Sequence, residues 1–336
     1  MKNVTSDIIQ FRGSHYEFGI YQGELLKNSP LLSNREELYK KLDYRFSIDK
    51  TYVKQLLAQF GPGIEEEIEG LAYALGYKEE QALLHYGGYY AAQKKSGCSI
   101  TTTPSYMIRN YDNDPKSYDG RFVLYEPTDG GYSTLGPSMQ ITGRMDGMNE
   151  KGLVVGYNFV NTKNSADGFV CNMIGRLLLE RCATVEEGIS LLENIPHKHS
   201  FNYVLLDAKQ TMVAVEASPR NVAVRDATAC TNHFKVLKEE NRYRTEDSLA
   251  REHIISNAQA SPLTFEKAFT LLNGIENGIF ATKYGAWDGT LHTVGYLPAE
   301  GKCVLALGGD ALPVVIDFKS WLSGTHLPLS KIKGKL

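Results

Sequence analysis

The sequence is short of several things that would define common protein classes. It has five cysteines in 336 residues (Cys98, Cys171, Cys182, Cys230 and Cys303), an odd number, widely spaced and without a Cys-x-x-Cys pair. That argues against a disulfide framework and against a structural zinc site. The N-terminus has no long apolar run of the signal-peptide kind, and no stretch approaches the roughly 18 apolar residues of a membrane span. A formal net charge of -3 and a pI near 6.3 leave no electrostatic case for nucleic acid. The expectation is a cytoplasmic protein that binds neither nucleic acid nor membrane, with homo-oligomerisation left open. Familiar catalytic signatures are absent as well: there is no Gly-x-Ser-x-Gly elbow, no His-Glu-x-x-His and no Walker loop. His197 and His199 could form half a metal site, but a solvated loop is the expected reading, and no cofactor is implied.

What is present is ordinary globular composition, 42% hydrophobic and 22% charged, over a length that buries a substantial core. The pattern changes near residue 97. Before it the chain reads as helical: Ser14 and Glu17 have capping-box spacing, Pro62 opens a helix that Gly76 ends, and residues 79–93 continue in that style. After it, short β-rich runs cover residues 98–103, 106–110, 121–125, 139–145 and 153–159. Helices at 170–181 and 185–194 follow, then strands at 203–207, 212–216 and 222–225. Helices at 246–258 and 264–272 and strands at 291–296 and 303–307 complete the order. Blocks of adjacent strands predict antiparallel sheets, and helices in separate blocks predict outer layers. The fold class expected is α+β, two face-to-face sheets with helices outside.

One place could carry chemistry. Gly97-Cys98 sits where the helical region meets the first strand, and Arg109, Asn110, Tyr111 and Asp112 come eleven residues later. On a hairpin, Arg109 would lie beside Cys98 and Asp112 just past the edge. A cation near a thiol favours the thiolate, and a carboxylate can hold an α-ammonium. A residue at a new N-terminus carries its own base, because an α-amino group has a pKa near 8. Glycine before it tolerates the strained backbone that self-cleavage needs. The competing reading makes Gly97 a turn and Cys98 a buried strand residue.

Gly97-Cys98 followed by Arg109 to Asp112 resembles the N-terminal-nucleophile hydrolases of the choloylglycine hydrolase and penicillin V acylase group. It resembles most their relatives, the acyl-CoA:6-aminopenicillanate acyltransferase-like peptidases. Further similar segments are Phe11 to Gly19, Asp146 to Leu153 with Gly156 to Phe159, Thr231 to Phe234, and Asn241 to Tyr243. The resemblance implies a four-layer αββα sandwich (N-terminal-nucleophile hydrolase fold) with a helical N-terminal segment. It implies a small subunit of residues 1–97, a catalytic domain of residues 98–336, and self-cleavage between Gly97 and Cys98. By resemblance, Cys98 would be the nucleophile, Arg109 would flank its thiolate and Asp112 would hold its amine. Asn232 would donate to the oxyanion, with a backbone N–H near Asn158 as second donor and the Asn158 side chain on the amine. Arg242 would complete the site. The implied activity is hydrolysis of a linear amide in a small N-acyl substrate. The alternatives are acyl-CoA-dependent N-acyl transfer and a non-catalytic binding relative.

Overall fold

Residues 3–40, 49–90, 97–162, 165–242, 245–284 and 289–336 are described by the structure, a computed structural model. Strand β1 (Asn3–Gly13) precedes five helices, α1 (His15–Lys27), α2 (Pro30–Lys40), α3 (Lys50–Phe60), α4 (Pro62–Leu75) and α5 (Glu79–Tyr86). Seven strands follow: β2 (Cys98–Thr103), β3 (Tyr106–Asn113), β4 (Arg121–Pro127), β5 (Thr134–Met139), β6 (Gly143–Arg144), β7 (Asp146–Asn149) and β8 (Val154–Phe159). After α6 (Cys171–Arg181) and α7 (Val185–Asn194) come β9 (Phe201–Leu206), β10 (Met212–Ala217), β11 (Val222–Asp226) and β12 (Ala229–Cys230). The chain ends with α8 (Glu246–Ala258), α9 (Phe265–Asn273), β13 (Gly289–Leu297), β14 (Lys302–Leu307), β15 (Val314–Asp317), α10 (Phe318–Leu322) and β16 (Lys331–Lys335).

Local signals in the sequence explain many of these boundaries. Ser14 and Glu17 close a capping box on α1, and Thr184 accepts the Glu187 N–H at the start of α7. Pro62 opens α4, and Gly76 ends it in the left-handed conformation at φ 68°. Helices α1 and α4 cross so closely that a Cβ on Gly19 would stand 2.1 Å from the Glu67 carbonyl oxygen. A Cβ on Gly70 would meet the Tyr16 carbonyl at the same distance, so only glycine fits either position.

The strands form two sheets. The larger runs β11-β10-β9-β8-β7-β5-β4-β1-β16 with β6 on β5, and the smaller runs β12-β2-β3-β13-β14-β15. Ile100, Met107, Val294 and Leu305 of the small sheet pack face to face on Phe122, Leu124, Val154 and Val204 of the large one. On the outer face of the large sheet, Leu177 and Leu178 of α6 and Ile64 and Leu71 of α4 cover Val155, Tyr203 and Leu205. Beyond the small sheet, Ile255 of α8 and Phe269 and Leu272 of α9 lie on Ile108 and Ala306. This is the four-layer αββα sandwich. Tyr86, Tyr89 and Tyr90 are buried in the outer core as packing. Among the described residues no helix is long and apolar enough to cross a membrane.

Four local expectations are corrected. The N-terminal segment is not helical from its start: β1 pairs parallel with β4 and antiparallel with β16. Its Val4, Ser6 and Ile8 are buried alternately, and the polar Ser6 in the middle hides the period-two pattern in the sequence. The strand expected over 139–145 is interrupted by Gln140 and Ile141 at φ 57° and 72°. Asp119 holds that turn by accepting the buried Ile141 N–H at 2.8 Å. The helix expected over 79–93 stops at Tyr86, and residues 91–96 lie outside the described residues. The loop bearing His197 is not solvated: His197 is buried with Nε2 2.7 Å from the Leu192 carbonyl oxygen.

Two buried charge groups tie the layers together. Between the sheets, Arg109 Nη1 of β3 lies 2.6 Å from Asp146 Oδ2 of β7, both side chains at most 1% exposed. Tyr296 also donates to Asp146. Between the N-terminal helices and α6, Arg176 Nη2 pairs with Glu67 at 2.8 Å and its Nε with Glu180. His15 lies between two carboxylates, Nδ1 at 2.6 Å from Asp129 and Nε2 at 3.5 Å from Glu180. Burial alone would lower its pKa, but the Glu180 carboxylate outweighs burial and holds it up at about 9.

Removing one partner of a buried ion pair leaves an uncompensated charge, at a cost of about 3–5 kcal/mol. Asp146→Ala should therefore lose stability of that order in urea denaturation, and an unchanged midpoint would show that Arg109 finds another counter-charge. For His15 the folded pKa of about 9 lies above the unfolded value near 6.5. Its contribution is complete below pH 6.5 and is lost as pH rises through 9, in total about 3 kcal/mol. Between pH 6 and 9.5 the native chain should lose that much more stability than His15→Asn. Equal losses would mean that the imidazole carries no extra proton in the fold.

Candidate active site

The β2–β3 hairpin sets the geometry around Cys98. Its register pairs Cys98 with Tyr111 and Ile100 with Arg109. Alternation along the strands then puts the Cys98, Arg109 and Tyr111 side chains on the face toward the large sheet. Arg109 reaches back diagonally, and its Nη2 stands 3.3 Å from Cys98 Sγ. The guanidinium is fixed by three further acceptors. Nη2 donates to the Tyr157 carbonyl at 2.6 Å, and Nη1 to Asp146 at 2.6 Å and to the Met145 carbonyl at 3.1 Å. Burial works against this charge, but Cys98 and Asp146 keep the group protonated, with its pKa above the ordinary arginine value. At Cys98 burial pushes the thiol pKa up, and the Arg109 charge opposes that rise without cancelling it.

The opposite face of the hairpin carries a second set of groups. Asp112 lies within β3 rather than past its edge, because β13 extends the ladder and pairs Thr290 with Asp112. Thr290 Oγ1 donates to Asp112 Oδ1 at 2.6 Å. Asp112 Oδ2 faces Gly97, where an added Cβ would come within 3.2 Å of it. Gly97 does not have a left-handed φ, so the close approach of this carboxylate, and not backbone strain, is what favours glycine there. Burial raises the Asp112 carboxyl to about 7, although the Arg251 charge and the Thr290 hydrogen bond both pull it down.

Asn232 and Arg251 complete the surroundings of the Cys98 backbone. The Cys98 N–H donates to Asn232 Oδ1 at 3.0 Å, and Asn232 Nδ2 donates to the Phe159 carbonyl at 2.9 Å. Arg251, from α8, donates through Nη1 to the Cys98 carbonyl at 2.8 Å and to Ser99 Oγ at 2.7 Å. Its Nη2 donates to Asn232 Oδ1 at 2.9 Å. These donors fix which end of the Asn232 amide is oxygen, and it is the oxygen that meets Cys98.

Of the residues singled out in the sequence, the structure brings Gly97, Cys98, Arg109, Asp112 and Asn232 together. Asn158 lies nearby on β8, but its Nδ2 donates to the Cys230 carbonyl at 2.9 Å rather than to Cys98. Arg242 is exposed, with its backbone N–H on the Asn161 carbonyl at 2.9 Å, and Tyr243 lies outside the described residues. The arginine on Cys98 and Asn232 is Arg251, which sequence reasoning missed. It sits mid-helix one turn after Asp247, to which its Nε donates at 2.9 Å, so it reads as an i,i+4 surface pair. Asp146 and Thr290 were missed as well. Asp146 leads the segment Asp146 to Leu153 already noted for its resemblance, and the buried Arg109 shows what that carboxylate does. Among the described residues no group of three or more His, Cys, Asp and Glu side chains could hold a metal ion. The arrangement pairs a thiol with a fixed cation, a backbone nitrogen with an amide oxygen, and the preceding glycine with a carboxylate.

Comparison with known proteins follows the same lines. Curated proteins give no sequence match. Among solved structures, a mutant of conjugated bile acid hydrolase from Clostridium perfringens is similar at 15% identity and a TM-score of 0.46, covering 71% of this chain and 97% of its own. Penicillin V acylase from Agrobacterium tumefaciens has 12% identity and a TM-score of 0.44, with 66% and 86% covered. The Caenorhabditis elegans ortholog of N-acylethanolamine-hydrolyzing acid amidase has 11% identity and a TM-score of 0.41, with 60% and 93% covered. At such scores the fold rests on this chain's own sheets and layers. Residues 100–312, well over half of the sequence, match the acyl-coenzyme A:6-aminopenicillanic acid acyl-transferase family, and the chain belongs to it.

Proposed function

We propose that this protein is a cysteine amidohydrolase that cuts itself between Gly97 and Cys98 and then cleaves linear amides through a Cys98 thioester. The observation that carries the reading is that both reacting atoms of Cys98 have a dedicated partner: Sγ has Arg109 at 3.3 Å and the backbone nitrogen has Asn232 Oδ1 at 3.0 Å. In maturation the Cys98 sulfur attacks the Gly97 carbonyl carbon, the Gly97–Cys98 C–N bond breaks, and the acyl chain passes to sulfur. Water hydrolyses that thioester and leaves Cys98 with a free α-amine. Residues 1–97 then form the small subunit and 98–336 the large one.

In turnover the α-amine takes the thiol proton, and the thiolate, with Arg109 beside it, attacks the substrate carbonyl. Asp112 holds the resulting ammonium, and Asn232 orients it through Oδ1. The oxyanion is met by the Asn232 amide nitrogen, which carries two N–H groups, and by a backbone N–H of β8 near Asn158. The ammonium protonates the leaving amine, and water releases the acid from the thioester. Arg251, in the place expected for Arg242, fixes the Cys98 carbonyl and Asn232 together. A second reading, transfer of the acyl group to an amine acceptor, is favoured by the family's described activity. It shares every step up to the thioester.

Intact mass should show two fragments, the larger beginning at Cys98, and Cys98→Ala should remain one chain. A panel of penicillin V, bile-salt conjugates and N-acyl amino acids then reads the released acid, with 6-aminopenicillanate added as acceptor to detect transfer. Full turnover by a chain that stays uncut would sink the mechanism. The pH dependence of self-cleavage gives a separate check. The thiol pKa is raised and the Asp112 carboxyl sits at about 7. If both must ionise, the rate rises about a hundredfold per pH unit below 7 and about tenfold per unit above it. Asp112→Asn should abolish the break and leave the shallower slope throughout. A break near pH 7 that survives in that variant would remove Asp112 from the step.

A further inference from the structure

Residues 231–237 carry Asn232 and have neither helix nor strand. Their backbone groups, with those of Cys230 before them, are nonetheless taken up one after another by side chains. Three of these side chains stand in a row on the large sheet, on the face toward the small sheet. Register pairs Asn158 of β8 with Asn202 of β9, and Asn202 with Glu216 of β10. All three are fully buried. Asn158 Nδ2 donates to the Cys230 carbonyl at 2.9 Å. Asn202 Nδ2 donates to the carbonyls of Thr231 at 3.1 Å and His233 at 2.9 Å, the residues on either side of Asn232. Glu216 accepts the N–H groups of Lys235 at 2.7 Å and of Val236 and Leu237 at 2.9 Å each. Its charge is balanced by Arg225 Nε at 2.7 Å.

We propose that Asn158, Asn202 and Glu216 form a ladder across three adjacent strands whose function is to set Asn232 against Cys98. They are positioning residues for the reaction proposed above, on which this inference rests. Two considerations separate that role from ordinary loop anchoring. Among the described residues the Oδ1 atoms of Asn158 and Asn202 meet no donor, so each side chain holds the segment through its Nδ2, aimed at the backbone carbonyls of residues 230, 231 and 233. The ladder also grips backbone and not side chains, so it fixes where the Asn232 Cα lies. Ser248 adds one more hold, with Oγ accepting the Asn232 N–H at 2.7 Å. Asn232 then meets the Cys98 nitrogen from a position determined by the large sheet, while Cys98 itself stands on the small one. A shift of about 1 Å in a group that contacts the reacting atoms can cost a hundredfold in rate.

The test is a set of variants measured per cut chain on whichever N-acyl amide of the panel is turned over. Asn202→Asp keeps the size of the side chain and removes its pair of donors, and Glu216→Gln puts an amide N–H against backbone N–H groups. Each should lower kcat roughly 10- to 100-fold with KM within about threefold, at a temperature where melting curves show the chain folded. In an Asn232→Ala background the same changes should cost less than about threefold more, because the ladder acts through Asn232. A folded variant that stays uncut counts for the proposal, since self-cleavage uses the same site. Wild-type kcat in both variants, or the full loss repeated in the Asn232→Ala background, would overturn it. Unfolding of both variants would overturn it too, by showing that the ladder serves global stability. Turnover by Cys98→Ala would bring down the underlying reading, whereas an inactive Cys98→Ala beside fully active ladder variants rejects the ladder alone.

Discussion

Everything near Cys98 depends on one guanidinium placed between two sheets. Arg109 leaves the small sheet, pairs with Asp146 of the large one, and donates to the carbonyls of Met145 and Tyr157 before its remaining reach meets the sulfur. A buried ion pair of this kind is weak evidence for stability, since desolvation offsets much of the attraction. Its value here is geometric. Fixed acceptors hold the cation, so its distance to Sγ does not depend on a flexible side chain finding its place. The Asp146 carboxylate lies below the ordinary range because, although burial raises it, His292 and Arg109 together outweigh burial. The pair therefore stays charged when the thiol beside it is neutral.

The two faces of the β2–β3 hairpin separate the two atoms of Cys98 that matter. The sulfur is directed between the sheets, toward Arg109. The backbone nitrogen and carbonyl are met from the other directions by Asn232 and Arg251, and the preceding Gly97 by Asp112. A single residue at the start of a strand can be addressed in this way because nothing N-terminal to it has to continue the ladder. Asn232 comes from an irregular segment, and its place is determined by side chains of a different sheet. The site is thus assembled from both layers of the sandwich and would be lost if they slid relative to each other. The buried Arg109–Asp146 pair, which joins the small sheet to the large one, opposes such sliding.

The described residues before Cys98 are part of this framework rather than an appendage to it. Strand β1 lies inside the large sheet, and β16 joins that sheet through β1. Helices α1 and α4 lock at Gly19 and Gly70, and Glu67 of α4 reaches Arg176 of α6. A break at Gly97–Cys98 would leave all of these contacts in place.

Sequence alone determined what is local. The Ser14 capping box, Pro62 at a helix start, the Thr184 cap, and the helices and hairpins from α6 to β14 follow from patterns that span a few residues. The nearness of Cys98 and Arg109 is local too, since a hairpin of eleven residues brings them together, and the ordered motifs carried the family resemblance. Tertiary structure decided the rest, because the deciding partners are far apart in the chain. Asp119 selects the left-handed turn at Gln140 and Ile141 that breaks the strand expected there. The N-terminal β1 is a strand because β4 and β16 flank it, despite the polar Ser6 at its centre. Arg251 reaches the Cys98 carbonyl across 153 residues from a helix where it looks like half of a surface pair. Arg242 had the resemblance in sequence order but points from an exposed position. Periodicity and spacing report which residues share a face. Only the packing of the two sheets decides which faces meet, and the surroundings of Cys98 lie where they do.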